Sequence, residues 1–170
     1  MNIERATPAD AREVAQIHVD AWRAAYAGIV SADWLAGLSV EAREVEWSRG
    51  IAAGVPEVLV ARHAEGLRGW IAFGACRDAD APPSRAEVWA LYVAPQAWSG
   101  GAGRALWARA RDVMLAQGRT TCSLWVFPEN DRAIRFYRSL GFVADDLPVQ
   151  AFELGGRRLL EARYVCRPDG

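Results

Sequence analysis

The chain has 170 residues and is 52% apolar, which predicts one domain, residues 1–170, with a sizeable core. Its 20 basic and 21 acidic residues leave a net charge of −1, so neither nucleic acid nor an anionic membrane is expected as a partner. No signal peptide or membrane-spanning run is visible, which predicts a cytoplasmic protein. The three cysteines lie at spacings unlike any zinc motif, which predicts reduced core thiols and no metal site.

The first half of the chain predicts a strand, a helix, a second helical region with a kink, and a strand hairpin. These elements are predicted at residues 2–6, 7–26, 31–51, 57–62 and 69–76. Thr7 followed by Pro8 is typical of a helix start, and Ser31 is a good cap for the second helical region.

Strands and helices alternate in the second half of the chain. They are predicted at residues 87–93, 104–117, 120–127, 129–140, 149–154 and 158–165. Pro95 ends the first of these strands because proline cannot donate to a ladder, and Gly155-Gly156 predicts a tight hairpin turn. The order β-α-α-β-β-β-α-β-α-β-β predicts an α/β fold whose mixed central sheet carries helices on both faces.

A glycine-rich turn, Ser-Gly-Gly-Ala-Gly at residues 99–103, joins the central strand to the next helix. Unpaired backbone N–H groups and the helix dipole meet at such a turn, which indicates a phosphate-bearing ligand. A nucleoside triphosphatase is disfavoured because Arg104 and Ala105 stand where Lys and Ser/Thr are needed. Leu106 occupies the third glycine position of the dinucleotide fingerprint, so that pattern fits poorly. A tight connection without a ligand is the structural alternative.

Two blocks of the sequence resemble the GCN5-related N-acetyltransferase family. The first is Trp-Ser-Gly-Gly-Ala-Gly at residues 98–103, which is similar to the family's pyrophosphate loop Arg/Gln-x-x-Gly-x-Gly/Ala. The second consists of Asn130, Tyr137, Gly141 and Phe142, which are similar to the signature Asn-(x6)-Tyr-(x3)-Gly-Phe. Trp98 departs from the family's Arg or Gln, which puts a side-chain contribution at that position in doubt but leaves the backbone amides unaffected.

The resemblance implies an acetyltransferase that uses acetyl-CoA as its cosubstrate and an amine as its acceptor. It implies that coenzyme A contacts the end of the central strand, the glycine loop, the start of the next helix and two residues of the second block. These residues are Leu91, Tyr92, Val93, Trp98, Ser99, Gly100, Gly101, Ala102, Gly103, Arg104, Asn130 and Tyr137. For Arg104 a solvated helical arginine is an equal alternative. The family also places an oxyanion donor at the amide of Leu91 or a neighbour.

A general acid and a general base are expected for this chemistry. An alkylammonium with a pKa of about 10 must lose a proton before it attacks, at a cost of about 4 kcal/mol at neutral pH. The resemblance makes Glu87 the candidate base, directly or through a water, and Tyr137 the acid that protonates the leaving thiolate. Strand alternation predicts that Glu87 shares a face with Trp89, Leu91 and Val93. The structural alternatives are an exposed strand-end carboxylate and a core aromatic.

The acceptor site is placed by the resemblance at the end of the first helix, where Trp22 and Tyr26 are candidate wall residues. Amphipathic packing in the core explains the same two aromatic residues equally well. His18 lies on the apolar face of that helix and is interpreted as a core histidine. The sequence does not choose between a small-molecule and a peptide amine, and a homodimer stays an open alternative.

Two other functions remain compatible with the sequence. The first is a non-catalytic acyl-CoA-binding or sensing domain of the same fold, which would not need Glu87 or Tyr137. The second is a dinucleotide-dependent enzyme, which would retain NAD(P) rather than coenzyme A.

Overall fold

A computed structural model describes residues 1–146 and 149–169 of the chain. Eight strands are present in these residues: β1 (Asn2–Arg5), β2 (Glu57–His63), β3 (Gly66–Ala75), β4 (Arg85–Val93), β5 (Thr121–Val126), β6 (Val143–Ala144), β7 (Gln150–Leu154) and β8 (Arg157–Cys166). The α-helices are α1 (Ala11–Ala25), α2 (Ala32–Ala36), α3 (Val40–Ala53), α4 (Ala102–Ala116) and α5 (Asp131–Arg138). No described helix is both long and apolar enough to cross a bilayer.

The strands form one mixed sheet in the order β1-β2-β3-β4-β5-β8-β6, and β7 pairs with β8 at the edge. The only parallel pair among the described strands is β4 with β5, because α4 carries the chain back between them. Alternate residues of β2 enter different cores: Leu59 packs with α4, and Val58 and Val60 pack with α1. The predicted mixed sheet with helices on both faces is confirmed.

The predicted elements are present with small changes at their ends. Gly37 ends the short helix α2, and Ser39 caps α3 by accepting a hydrogen bond from the Ala42 amide at 3.1 Å, so the predicted kink is a break between two helices. Gly155 and Gly156 both have positive φ, as a two-residue hairpin turn requires. Strand β6 was not predicted, because two exposed residues leave no periodic pattern.

Strands β4 and β5 are paired only over their first residues. The register joins Arg85 to Thr121, Ala86 to Cys122 and Glu87 to Ser123, and it stops there. Beyond this point the two strands diverge toward their carboxyl ends. The edge of β4 that faces β5 therefore keeps backbone N–H and C=O groups that β5 does not use.

A β-bulge in β4 corrects one prediction about side-chain direction. Ala90 pairs with Ala72 and Val88 pairs with Phe73, so Trp89 is an extra residue in the strand. The extra residue shifts the alternation, and Leu91 therefore packs toward α4. The prediction that Glu87 and Trp89 share a face with Leu91 and Val93 is wrong, because strict alternation over residues 87–93 assumed an unbroken ladder.

Strand β3 approaches β4 so closely at Gly69 that no side chain fits. A Cβ atom at this position would lie 2.7 Å from the Tyr92 carbonyl oxygen and 3.1 Å from the Val93 Cα atom. We expect Gly69→Ala to lower the free energy of unfolding by about 1–3 kcal/mol, because the backbone of β4 must move. Urea denaturation measures this change.

Gly50, in the interior of α3, is the matched control. A Cβ atom there meets only the Val55 carbonyl oxygen, at 3.9 Å. We expect Gly50→Ala to raise the free energy of unfolding by about 0.5–1 kcal/mol, because alanine restricts the unfolded chain. Equal unfolding midpoints for Gly69→Ala and the wild type would contradict the close approach of β3 to β4.

Candidate active site

The divergence of β4 and β5 opens a cleft of about 1040 Å³. Its walls are formed by both strands, the loop after β4, the start of α4, one face of α5, the end of α1 and the β7–β8 hairpin. A cleft of this size suits a large cosubstrate together with a small acceptor. Four of the eight tryptophans line it: Trp22, Trp89, Trp98 and Trp125.

Backbone N–H groups collect at one end of the cleft, in the loop that leads into α4. The amides of Trp98 and Gly100 are already used, since they donate to the carbonyl oxygens of Pro95 and Ala97 at 3.3 and 3.2 Å. Within the described part of the chain, five further amides of cleft-lining residues have no acceptor: Ser99, Gly101, Ala102, Gly103 and Arg104. The predicted loop therefore has free donors, although two of its amides are not among them.

Two residues of the loop adopt left-handed backbone conformations. Ser99 has φ of 63°, a left-handed conformation that costs energy for any residue except glycine, and Gly101 has φ of 83°. Left-handed residues in such a turn produce a concave nest of N–H groups that binds anions. The start of α4 adds the positive end of its dipole to the nest.

Gly103 is required because the loop lies close to α5. A Cβ atom on Gly103 would come within 3.0 Å of the Phe136 Cζ atom and 3.6 Å of the Val93 Cγ2 atom. The absence of a side chain therefore lets α5 and the end of β4 converge on the nest. This contact brings Asn130 and Tyr137 to the same cleft as the loop.

The tryptophan that departs from the family's loop pattern has a structural role here. Trp98 donates its indole N–H to the Val93 carbonyl oxygen at 2.9 Å, which fixes the loop to the end of β4. The Arg132 guanidinium lies 3.9 Å from the centre of the Trp98 ring, a cation–π contact. A positive charge from α5 is thus held over the position where the family has its loop arginine or glutamine.

The region of the cleft beside the nest is lined by arginines. It contains Arg104, Arg132 and Arg135, and none of them forms an ion pair with another described residue. Arg104 does donate to the Ser139 hydroxyl at 3.1 Å. Because three cations and five free amides face the same space, this region suits a polyanion such as a phosphate ester.

Helix α5 supplies a cap and a phenol to the cleft. Asn130 caps the helix and lines the cleft; its side-chain oxygen accepts from the Ala133 amide at 3.1 Å, and its NH2 group donates to no described residue. Tyr137 packs against Phe142 at 5.7 Å between ring centres, yet it also lines the cleft. Burial raises the pKa of Tyr137 above its ordinary value of 10.0, so the phenol keeps its proton at neutral pH.

Glu87 is buried in the cleft wall rather than exposed at a strand end. The side chain of Glu87 is 2% exposed and forms an ion pair with the guanidinium of Arg77. The Arg77 amide donates to the same carboxylate at 2.9 Å, and Arg77 also lies 4.4 Å above the Trp89 ring. The structural alternative of a solvated carboxylate is therefore wrong, and Glu87 is fixed in position beside β5.

Aromatic residues form the wall of the cleft on the side of α1. Trp22 and Tyr26 meet edge to face at 4.8 Å, and Tyr26 meets Phe127 in the same way at 4.9 Å. The hydroxyl groups of Tyr26 and Tyr92 are 3.4 Å apart. Burial raises the pKa of both tyrosines, so both are neutral hydrogen-bonding groups at physiological pH.

The sequence model of the acetyltransferase (GNAT) family matches residues 14–142 of this chain. The chain belongs to the acetyltransferase (GNAT) family. It is 30% identical over 162 residues to the uncharacterized N-acetyltransferase YuaI of Bacillus subtilis (strain 168), with 95% of this chain and 90% of YuaI covered. The resemblance read from the two sequence blocks is therefore confirmed.

Solved structures of low sequence identity share the fold of this GNAT protein. The PaiA N-acetyltransferase of Thermoplasma acidophilum, solved with coenzyme A, has a TM-score of 0.76 at 22% identity, over 98% of this chain and 99% of PaiA. The yncA protein of Salmonella typhimurium, solved with acetyl-CoA, has a TM-score of 0.75 at 24% identity, over 100% of this chain and 95% of yncA.

The structure of this GNAT protein brings the predicted site residues together around one cleft. All of them line it except Gly100, which lies within the loop. The two histidines lie outside the lining. Burial lowers the pKa of His18 to about 3, and its Nδ1 atom accepts from the Trp47 indole at 3.1 Å, as expected of a core histidine.

Sequence reasoning missed five charged residues that line this GNAT site: Arg77, Asp78, Arg132, Arg135 and Glu161. Arg77 lies in a loop, and its ion pair with Glu87 spans ten positions without a helical or hairpin spacing. Arg132 lies two residues after Asn130, a spacing that does not place two helical residues on one face, so the predicted role of Asn130 gave no indication of Arg132. Glu161 lies on a hairpin strand whose alternation does not reveal which face meets the cleft.

Proposed function

We propose that this protein is an acetyl-CoA-dependent N-acetyltransferase that transfers the acetyl group directly to an amine in a ternary complex. One observation carries the proposal: a single cleft runs from a nest of free amides and unpaired arginines to a buried carboxylate and an aromatic wall. The first region has the chemistry of a phosphate site and the second that of an amine site. Membership of the GNAT family supports the same assignment.

The donor would bind along the nest and the open edge of β4. The diphosphate of coenzyme A would accept from the amides of residues 99 and 101–104, with Arg104 and Arg132 neutralising its charge. The amide-bearing pantetheine arm would pair with Leu91, Tyr92 and Val93, as a peptide adds to a sheet edge. The free NH2 group of Asn130 would donate to the same arm.

The acetyl transfer itself needs two proton movements. Glu87 would accept the proton of the acceptor ammonium through a water molecule, and the amine nitrogen would then attack the thioester carbon. As the C–N bond forms, the carbonyl oxygen becomes an oxyanion, which the Leu91 amide or a neighbouring amide would stabilise. The C–S bond then breaks, and the thiolate takes its proton from the Tyr137 hydroxyl. Trp22 and Tyr26 would hold the acceptor in place.

Ligand-dependent thermal unfolding tests the donor assignment. We expect coenzyme A and acetyl-CoA to raise the Tm, because a ligand that binds only the folded state at 100 times its Kd adds about 2.7 kcal/mol of stability. NAD and NADP at the same concentrations should leave the Tm unchanged. A shift with NAD(P) and none with coenzyme A would refute the donor assignment.

Thiol release separates an enzyme from a binding domain. Free thiol from acetyl-CoA should appear faster when a primary amine is added, and the acetylated amine should be detected by mass spectrometry. Coenzyme binding without amine-dependent release over a broad amine panel would instead support a sensing domain.

A further inference from the structure

Three carboxylates line the cleft, and they differ in their partners. Asp78 accepts from the Arg163 guanidinium at 2.9 Å and from the Trp125 indole at 3.0 Å. Glu87 is paired with Arg77. Glu161 has neither an ion pair nor a side-chain hydrogen bond with any residue in the ranges 1–146 and 149–169, although it is half-buried.

Glu161 lies on β8, directly opposite Gln150 of β7, and both residues line the cleft. Burial raises the pKa of Tyr26 and Tyr92, and the charge of Glu161 adds to both shifts, so the carboxylate lies near the tyrosine pair. Arg77 and Glu87 are the other charged groups close enough to affect Glu161. Their charges act on Glu161 in opposite directions, and the guanidinium of Arg77 is already bound to Glu87, so no described cation is paired with Glu161.

A half-buried carboxylate without a partner costs free energy, because it has lost part of its hydration, unless a ligand supplies a cation. Burial raises the pKa of the Glu161 carboxyl above its usual range, which shows the same cost. The surroundings of the site are apolar, because Phe152 and Leu154 of the hairpin and Phe127 after β5 line the cleft next to it. The three unpaired arginines of the cleft lie at the other end, beside the nest.

We propose that Glu161 binds the ammonium group of the acceptor and selects a primary amine with an apolar body and no carboxylate beside the amine. This inference rests on the proposed acetyl transfer. The carboxylate provides a charge-assisted hydrogen bond to the ammonium, and the aromatic wall packs on the rest of the molecule. An α-amino acid is rejected because its own carboxylate would lie near Glu161, while the Arg77 guanidinium already binds Glu87.

A matched pair of amines tests the selection in the wild-type protein. 2-Phenylethylamine and L-phenylalanine share an apolar body and differ in the carboxylate. We expect kcat/KM for 2-phenylethylamine to be at least about tenfold higher, measured by thiol release from acetyl-CoA. Equal values, or a preference for L-phenylalanine, would overturn the inference and leave the proposed acetyl transfer intact.

The variant Glu161→Gln tests the residue. We expect it to raise the KM for 2-phenylethylamine about 10- to 100-fold, which corresponds to the loss of one hydrogen bond to a charged group. The KM for acetyl-CoA should stay within about twofold of the wild-type value. Glu153→Gln is the control, because Glu153 is an exposed glutamate of the same hairpin that does not line the cleft. It should match the wild type in both constants.

The outcomes separate the inference from the proposed function. An unchanged amine KM in Glu161→Gln, with the coenzyme-induced rise in Tm retained, would overturn the role of Glu161 alone. Binding of coenzyme A without acetylation of any amine would overturn both proposals. Should Glu161→Gln fail to fold, as judged by loss of the coenzyme-induced shift, the comparison of the two amines in the wild type decides the inference by itself.

Discussion

Tyr137→Phe is expected to lower kcat about 100-fold or more and to leave the affinity for acetyl-CoA unchanged. The substitution removes only the hydroxyl, since the ring keeps its packing against Phe136 and Phe142 at 5.3 and 5.7 Å. The departing thiolate then loses the positioned proton donor that we propose. Steady-state kinetics with a saturating amine measure kcat, and the coenzyme-induced Tm shift measures binding.

The pH dependence of kcat in the wild type also follows from the role proposed for Tyr137. Because burial raises the pKa of Tyr137 above 10.0, the phenol stays protonated up to that pH. Ionisation of this acid should therefore not lower kcat on going from neutral to mildly alkaline pH. A fall of kcat in that interval that is absent in Tyr137→Phe would contradict the assignment.

Tyr164→Phe is the control for the removal of a hydroxyl. Tyr164 is buried in the core on the α4 side of the sheet, and it does not line the cleft. Its substitution should leave kcat within about twofold of the wild type. If Tyr137→Phe behaves like Tyr164→Phe, the thiolate takes its proton from water and Tyr137 is a core aromatic only.

Glu87→Gln is the second variant with a large expected effect, a fall in kcat/KM of about 100-fold at neutral pH. A carboxylate offers about four acceptor positions, and three N–H groups of Arg77 occupy them, with the Nε–H shared between the two oxygens of Glu87. The water that carries the amine proton would replace one half of this shared bond. Glutamine keeps the shape of the side chain and removes the base. The measurement is thiol release with a primary amine over a range of pH.

The defect of Glu87→Gln should shrink as the pH rises. An alkylammonium has a pKa of about 10, so a growing fraction of the acceptor is already deprotonated in alkaline solution and needs no base. A defect that stays constant across the pH range would point instead to misplacement of the acceptor.

Arg77→Ala distinguishes a catalytic from a structural role of Glu87. If Glu87 acts only as the partner of Arg77, both variants should lower the free energy of unfolding by similar amounts and both should retain kcat/KM. If Glu87 is the base, Arg77→Ala should retain more activity than Glu87→Gln, because the carboxylate is still present. Urea denaturation of both variants supplies the comparison.

Features that depend on neighbours in sequence were predictable. The glycines of residues 99–103 between a strand and a helix indicated a nest of amides, because backbone geometry at a turn follows from local residue types. Asn130 and Tyr137 are seven residues apart, and helical periodicity placed them on one side of α5. The tight turn at Gly155-Gly156 was predictable for the same reason.

Features that depend on pairing between distant strands were not predictable. The bulge at Trp89 lies where β4 has stopped pairing with β5 but still pairs with β3, and nothing within residues 87–93 marks the extra residue. The amides of Trp98 and Gly100 donate hydrogen bonds to the carbonyl oxygens of Pro95 and Ala97. The residue spacing of the motif does not reveal these hydrogen bonds.

The sequence by itself therefore determined the family, the order of the elements and the place of the glycine-rich loop. Only the tertiary structure decided that Glu87 is buried against Arg77 and that Glu161, 74 positions later, lines the same cleft without a partner among the described residues. The physical reason is that the partner and the burial of a charged group are set by chain segments brought together in the folded sheet. Local sequence patterns determine the conformation of the backbone, but they do not determine which charged side chains of distant segments come into contact.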